Sequence, residues 1–195
     1  PMQVYNIPYL FNDQNEAWAV FDSDFTRRMG EEMRRTTGIR LLALADNGLR
    51  HFTNSLRPIR SPQDMRGMKI RIQPGPLYET LVRSLGASAS PIPWLELPSA
   101  VQQKVVDGQE NPVVGVIIPY KLHDFHRYLT AWNYTIDPLI LAVNAGVWRS
   151  FPEDVRAAVQ QSAADALRYQ KALARVGLDD GSSARYLASL GESVA

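Results

Sequence analysis

Three polar side chains stand where a ligand-binding group is expected. Arg71 lies in Lys69-Ile70-Arg71-Ile72-Gln73, which alternates polar and apolar and reads as a strand with Ile70 and Ile72 on one face. Pro74-Gly75-Pro76 breaks that strand, so Arg71 falls near its carboxyl end. Ligands of open α/β sheets bind beyond such ends. A guanidinium there suits a carboxylate, because its planar fork donates two parallel hydrogen bonds. The other reading of Arg71 is a surface arginine on an edge strand. Arg50 follows the apolar run 41–45 and the expected turn Asp46-Asn47-Gly48, at a second strand exit. Asn111 comes after Asp107-Gly108 and before Pro112, pinned in a turn. Its amide donates to a carboxylate oxygen or accepts from a hydroxyl. Trp94, between prolines and a helix start, is either a lid over an apolar ligand body or a core tryptophan.

Other chemistries lack their residues. Gly-x-Gly-x-x-Gly, Gly-x-x-x-x-Gly-Lys and Gly-x-Ser-x-Gly are all missing, so no dinucleotide site, phosphate loop or nucleophile elbow is signalled. The chain has no cysteine, which excludes a disulfide scaffold, a thiolate zinc site and a cysteine nucleophile. His123 and His126 lie three apart without a carboxylate triad, and they read as a solvated surface pair rather than a metal site. Glu110, Asp107 and His51 are imaginable as acid and base around a carboxylate substrate, but no nucleophile or metal set accompanies them. No metal or cofactor is therefore expected. With 21 Lys+Arg against 20 Asp+Glu, the net charge of +1 offers no electrostatic footprint for nucleic acid. No apolar run is long enough to span a bilayer; residues 113–118 and 138–143 are the length of buried strands.

The elements that position these residues alternate. Asp13 caps a helix with Glu16 three residues on, Ala17, Val20 and Phe21 form its apolar face, and Gly38 ends the helical stretch. Residues 41–45 follow as a buried strand. Ser61-Pro62-Gln63-Asp64 starts a one-turn helix stopped by Gly67. Leu77, Tyr78, Leu81, Val82 and Leu85 recur at helical spacing after the Arg71 strand, and Leu97, Ala100, Val101 and Val105 mark another helix. Ser150-Phe151-Pro152-Glu153 launches a long helix with Val155, Ala158, Val159, Ala163, Ala166 and Leu167 on its apolar stripe, running on, kinked, to about residue 190. Strands alternating with helices give an α/β fold, and the short crossovers point to mostly parallel strands.

Three strings carry a family resemblance: Asn47-Gly48-Leu49-Arg50-His51-Phe52-Thr53-Asn54, the run from Ile59-Arg60-Ser61-Pro62 through Gly67-Met68-Lys69-Ile70-Arg71-Ile72, and Asp107-Gly108-Gln109-Glu110-Asn111-Pro112. With Leu85-Gly86-Ala87, Pro91-Ile92-Pro93-Trp94, Tyr128-Leu129-Thr130 and Phe151-Pro152-Glu153-Asp154, the chain resembles the DctP-type substrate-binding proteins of TRAP transporters, the tripartite ATP-independent periplasmic systems. The resemblance covers essentially the whole chain. It implies a two-domain periplasmic-binding-protein-like α/β fold with a ligand cleft between domains that closes by hinge bending, and a long C-terminal helix spanning both. Residues 1–46 would belong to domain I and 47–137 to domain II, with 138–195 returning to domain I. Family members extend past both ends of this chain. Together with its opening at Pro1 and its end at Ala195, that makes it read as a segment of a longer protein.

By the same resemblance, Arg71 matches the arginine that pairs with the substrate carboxylate, Arg50 a second arginine beside it, and Asn111 the asparagine that hydrogen-bonds the carboxylate. Glu110 lies next to Asn111 at the cleft, Trp94 replaces an aromatic that packs over the ligand, and Tyr134 stands where histidine is common, with Asp137 nearby. Pro98 departs from the usual tyrosine, and Trp132 from a smaller residue. The implied function is extracytoplasmic capture of a small organic acid and its delivery to the membrane subunits of a TRAP permease, in the periplasm, by a protein that does not itself span the membrane. A carboxylate-sensing domain is the alternative, and an enzyme acting on a carboxylate a further one.

Overall fold

The structure is a computed structural model, and it describes residues 2–175 and 193–194. A 3₁₀ turn at Met2–Asn6 precedes α1 (Gln14–Phe21), α2 (Asp24–Thr37) and the long strand β1 (Ile39–Asn54). A second 3₁₀ turn, Pro62–Met65, leads to β2 (Lys69–Ile72), α3 (Pro76–Ser84), β3 (Ser88–Pro91), α4 (Leu97–Gln102) and β4 (Gly108–Pro112). A π-helical turn at Val113–Ile117 and a short 3₁₀ turn at Leu122–Asp124 connect to β5 (Tyr128–Thr130). Then come β6 (Ile136–Asn144), α5 (Ala145–Ser150), α6 (Glu153–Arg175) and β7 (Ser193–Val194).

The chain divides into two units, residues 1–48 with 135–176 and residues 49–134 with 177–195. In the first, Asp13 caps α1 by accepting from the Glu16 amide at 2.9 Å, and Gly38 closes α2 in the left-handed region at φ 71°. The helical stretch expected between them is broken at Asp22 and Ser23 into two helices. β6 pairs with β1, and α6 starts where Glu153 was read. The expected continuation of α6 toward residue 190 lies outside the described residues.

In the second unit the strand order is β3-β2-β4-β1-β5-β7. The sheet is mixed but mostly parallel, as expected: β3, β2, β4, β5 and β7 run one way, and β1 runs against them. β2 is parallel to β3 and β4, and β5 to β7, but β1 runs antiparallel to both β4 and β5. The antiparallel ladders arise because β1 continues past residue 45. Asp46-Asn47-Gly48 forms no turn: the Asp46 carboxylate is buried and accepts from the Trp18 indole at 2.7 Å and the Gly48 amide at 2.7 Å, while Asn47 donates to Asp137 at 2.8 Å. Polar side chains satisfied in this way let a strand pass where their composition signals a turn. Gly48, at φ 105°, takes the backbone conformation that a side chain would resist.

Two further expectations fail. Residues 113–117 form the π-helical turn rather than a strand. β6 is a strand but not a buried one, since Leu139, Ile140 and Leu141 are each 40–46% exposed. Apolar clusters cover the two faces of the second unit's sheet. One holds Phe52, Met68, Ile70, Ile72, Tyr78 and Val82. The other holds Leu97, Val101, Val113, Ile117, Leu122 and Leu129, with Ile92 and Trp94 packed against it.

Candidate ligand-binding site

The predicted residues Arg71, Asn111, Arg50, Glu110, Trp94 and Tyr134 all belong to the second unit, and register decides which of them meet. Arg71 stands opposite Gln109 on one side and Ser90 on the other, and Gln109 stands opposite Thr53. Partners in a ladder share a face, and so do residues two apart on a strand. Arg71, Gln109, Asn111 and Thr53 therefore lie on one face. Glu110 pairs with Phe52 on the other, the face of Ile70 and Ile72. The strands are held close at Gly108, where an added Cβ would meet the Thr53 carbonyl at 2.7 Å. Asp107 clips β4 to β2, its carboxylate accepting from the Lys69 amide at 2.7 Å.

Arg71 is wholly buried, which removes the surface-arginine reading. Its Nε donates to the Ile92 carbonyl at 2.9 Å, and this bond sets the plane of the guanidinium. Two residues past Ile92, Trp94 is half-buried and meets Tyr120 edge to face, with centroids 4.7 Å apart. Trp94 thus packs on the apolar cluster of the same face.

Arg50 is also fully buried, at the last pair of the β1–β4 ladder, opposite Pro112. Its guanidinium forms a bidentate pair with Glu110. Nε meets Oε2 and Nη2 lies 2.8 Å from Oε1, while Nη2 also donates to the Glu110 carbonyl at 2.8 Å. Nη2 reaches the Asn111 Oδ1 at 3.1 Å as well. Tyr134 is fully buried and donates to Glu110 Oε2 at 2.5 Å. Burial first, and then the Glu110 charge, push the Tyr134 hydroxyl well above its ordinary pKa, so it stays a donor. Its ring lies 4.6 Å from Trp132, which stacks on Phe52 at 4.9 Å. The structure therefore gathers the six residues as a buried Arg50–Glu110–Tyr134 array and as Arg71 and Asn111 on one face, with Trp94 in that face's cluster.

Sequence reasoning missed a third group. Asn111 Nδ2 donates to Gln109 Oε1 at 2.5 Å, Gln109 Nε2 donates to Thr53 Oγ1 at 2.7 Å, and Thr53 Oγ1 lies 2.9 Å from His126 Nδ1. His126 is 2% exposed, which overturns the solvated-pair reading. Burial lowers its pKa to about 4. His51 is likewise buried and held at about 4, by burial and then by the Arg50 charge. The strand spacing of Gln109 and Asn111 was the available signal for part of this chain. Nothing local announced His126.

Residues 1–177 match the model of DctP, bacterial extracellular solute-binding protein, family 7, and the chain belongs to that family. A solute-binding protein of Verminephrobacter eiseniae is 33% identical over 197 residues, covering 98% of this chain and 56% of that protein. A TRAP periplasmic solute-binding protein of Ralstonia eutropha H16, solved with bound (S)-2-acetolactate, matches with a TM-score of 0.94 at 32% identity, over 100% of this chain and 62% of that one. Another from Roseobacter denitrificans, with bound L-galactonate, matches at 0.91 and 28% identity, over 98% of this chain and 63% of that one. The chain spans about half the length of the curated relatives it matches. Among the described residues, no helix is long and apolar enough to cross a membrane.

Proposed function

We propose that the chain is the carboxylate-recognising part of a periplasmic solute-binding protein. It captures a small organic acid for delivery to the membrane subunits of a TRAP permease. The observation that carries this reading is the buried Arg71 guanidinium, fixed at Nε and sharing its sheet face with the Asn111 amide. Arg71 and Asn111 contact the carboxylate and Trp94 packs on the body of the acid. Arg50, Glu110 and Tyr134 form the buried array that supports Asn111. The two solved relatives hold different carboxylates, a short keto acid and a sugar acid, which supports the class and leaves the particular acid to experiment.

Binding without turnover fits the placement of the candidate acids and bases. Glu110 is engaged by Arg50 and Tyr134, Asp107 by the Lys69 amide, and His51 lies on the opposite face from Glu110. The test is titration calorimetry against a panel of keto, hydroxy and sugar acids, repeated on Arg71→Ala. Removing the guanidinium leaves a desolvated carboxylate unpaired, and affinity falls on the order of a hundredfold or more. A variant that binds the same acid within a few-fold of wild type overturns the assignment.

A further inference from the structure

A chain of side-chain hydrogen bonds in the second unit starts at an arginine, and that arginine sets its direction. A guanidinium only donates, so the Asn111 atom facing Arg50 must be Oδ1. That turns Asn111 Nδ2 toward Gln109, whose facing atom must then be the acceptor Oε1. Gln109 in turn presents Nε2 to the Thr53 hydroxyl. That hydroxyl lies 2.9 Å from His126 Nδ1, and donating its proton to this nitrogen continues the direction set upstream. The chain therefore reads Arg50 to Asn111 to Gln109 to Thr53 to His126, each group donating to the next. With the last bond in that direction, the terminal imidazole is neutral and carries its proton on Nε2. All five residues are buried, from 0 to 2% exposed. Bonds aligned in this way polarise one another and hold their members more firmly than isolated pairs do.

An asparagine amide has two N–H groups. One donates to Gln109, and on the carboxylate reading the second is the one that meets the ligand. Resting on the carboxylate reading above, we propose that Gln109, Thr53 and His126 are positioning residues that lock the Asn111 amide as a hydrogen-bond donor, so that the site selects a ligand oxygen that accepts. Arg71 attracts the acid by charge; the chain ending at His126 sets the polarity of the contact next to it. An unlocked amide is free to turn its oxygen toward the ligand and would then tolerate a carboxamide in place of a carboxylate.

The experiment pairs a structural and a binding readout on the full chain. Thr53→Val removes the hydroxyl at constant shape, His126→Phe removes the terminal acceptor, and Thr53→Ser restores the hydroxyl. The Asn111 side-chain amide pair, assigned by its loss in Asn111→Ala, is followed by nitrogen-edited NMR without ligand. Binding of L-galactonate, (S)-2-acetolactate and the carboxamide of galactonic acid is measured by calorimetry. The expected result is that the Asn111 pair moves in Thr53→Val and His126→Phe and returns in Thr53→Ser. Acid affinity in the two altered variants falls roughly tenfold, the size of one hydrogen bond, and the preference for acid over carboxamide shrinks with it. An unmoved Asn111 pair in both variants, or a moved pair with acid affinity and preference intact, overturns the proposal. If wild type binds no acid of the panel above while the amide pair moves as expected, the chain of bonds is supported and the carboxylate reading falls.

Discussion

Replacing Glu110 by glutamine tests the buried array most directly. Arg50 and Glu110 are 0% and 1% exposed, so neither charge is solvated, and each depends on the other. Glu110→Gln keeps the volume and removes the charge. It also creates a donor conflict, because Arg50 and Tyr134 both donate to this side chain and one of them must now face an amide N–H. Breaking one partner of a buried pair costs about 3–5 kcal/mol, against about 0–1 kcal/mol for an exposed pair. For a chain of this size, each kcal/mol lowers the melting temperature by roughly 2–4 °C, so Glu110→Gln should melt about 10 °C below wild type by calorimetry. The charge argument also predicts non-additivity. Arg50→Met with Glu110→Leu removes both charges together and should be less destabilised than the sum of the single changes. A loss under about 1 kcal/mol in Glu110→Gln, or strict additivity in the cycle, refutes the view that this is a desolvated, mutually dependent pair.

The buried histidines make a pH prediction. Both His51 and His126 have pKa values lowered to about 4, so NMR titration should find each ring neutral down to pH 5, and a midpoint near 6.5 would show that ring to be solvated. Because the folded pKa lies below the unfolded one, each neutral ring contributes stability above about pH 6.5. That contribution, about 3 kcal/mol per ring, is lost as the pH falls toward 4. In the first unit, burial raises the pKa of Asp46 while the Trp18 indole bond opposes the rise, so Trp18→Phe should move the Asp46 midpoint further up in a carboxyl-carbon titration. With its folded pKa raised, Asp46 favours the folded state when protonated and withdraws that support as pH rises. Gly108→Ala should cost about 1–3 kcal/mol in urea unfolding, since its Cβ would sit 2.7 Å from the Thr53 carbonyl and 2.9 Å from Asn54 Cβ. An unchanged midpoint would mean the strands part there at no cost.

Local chemistry was legible in the sequence, and pairing was not. The caps at Asp13 and Gly38, the proline start at Ser61, the alternating strand around Arg71 and the start of α6 at Glu153 all depend on neighbours a few residues apart, and each lies where it was read. The length of β1 was hidden because Asp46 is satisfied by Trp18, 28 residues away, and no local pattern records that bond. The same holds for Arg50, whose counter-charge lies 60 residues on at Glu110, and for His126, 73 residues from Thr53. Arg71 was left between a surface and a ligand role because a single strand cannot show how many neighbours flank it. β2 lies between β3 and β4, so its arginine is enclosed. The exposed apolar run of β6 fails for a related reason: composition reports that a strand can be buried, while the elements packed against it decide whether it is.

On the proposed assignment, charge and polarity are divided between two residues, and this division accounts for the structure around Asn111. A buried arginine alone would attract any anion of suitable size. Discrimination near it needs a neutral group whose donor and acceptor ends cannot exchange. An isolated asparagine does not meet that need, because turning its amide swaps the two ends at little cost. Tied at Oδ1 to a donor-only guanidinium and at Nδ2 to a chain of three further residues, the Asn111 amide turns only if several aligned bonds break together. A ligand that presents N–H to this amide then sets donor against donor in a desolvated site, which costs about 1–3 kcal/mol. Fixing these groups before the ligand arrives also lowers the ordering cost of binding, so part of the affinity resides in bonds the ligand never touches. Arg50 and Glu110 accordingly matter twice. Their mutual neutralisation permits burial, and the guanidinium, which offers donors only, faces Asn111 Oδ1 and so sets the direction in which the bonds run.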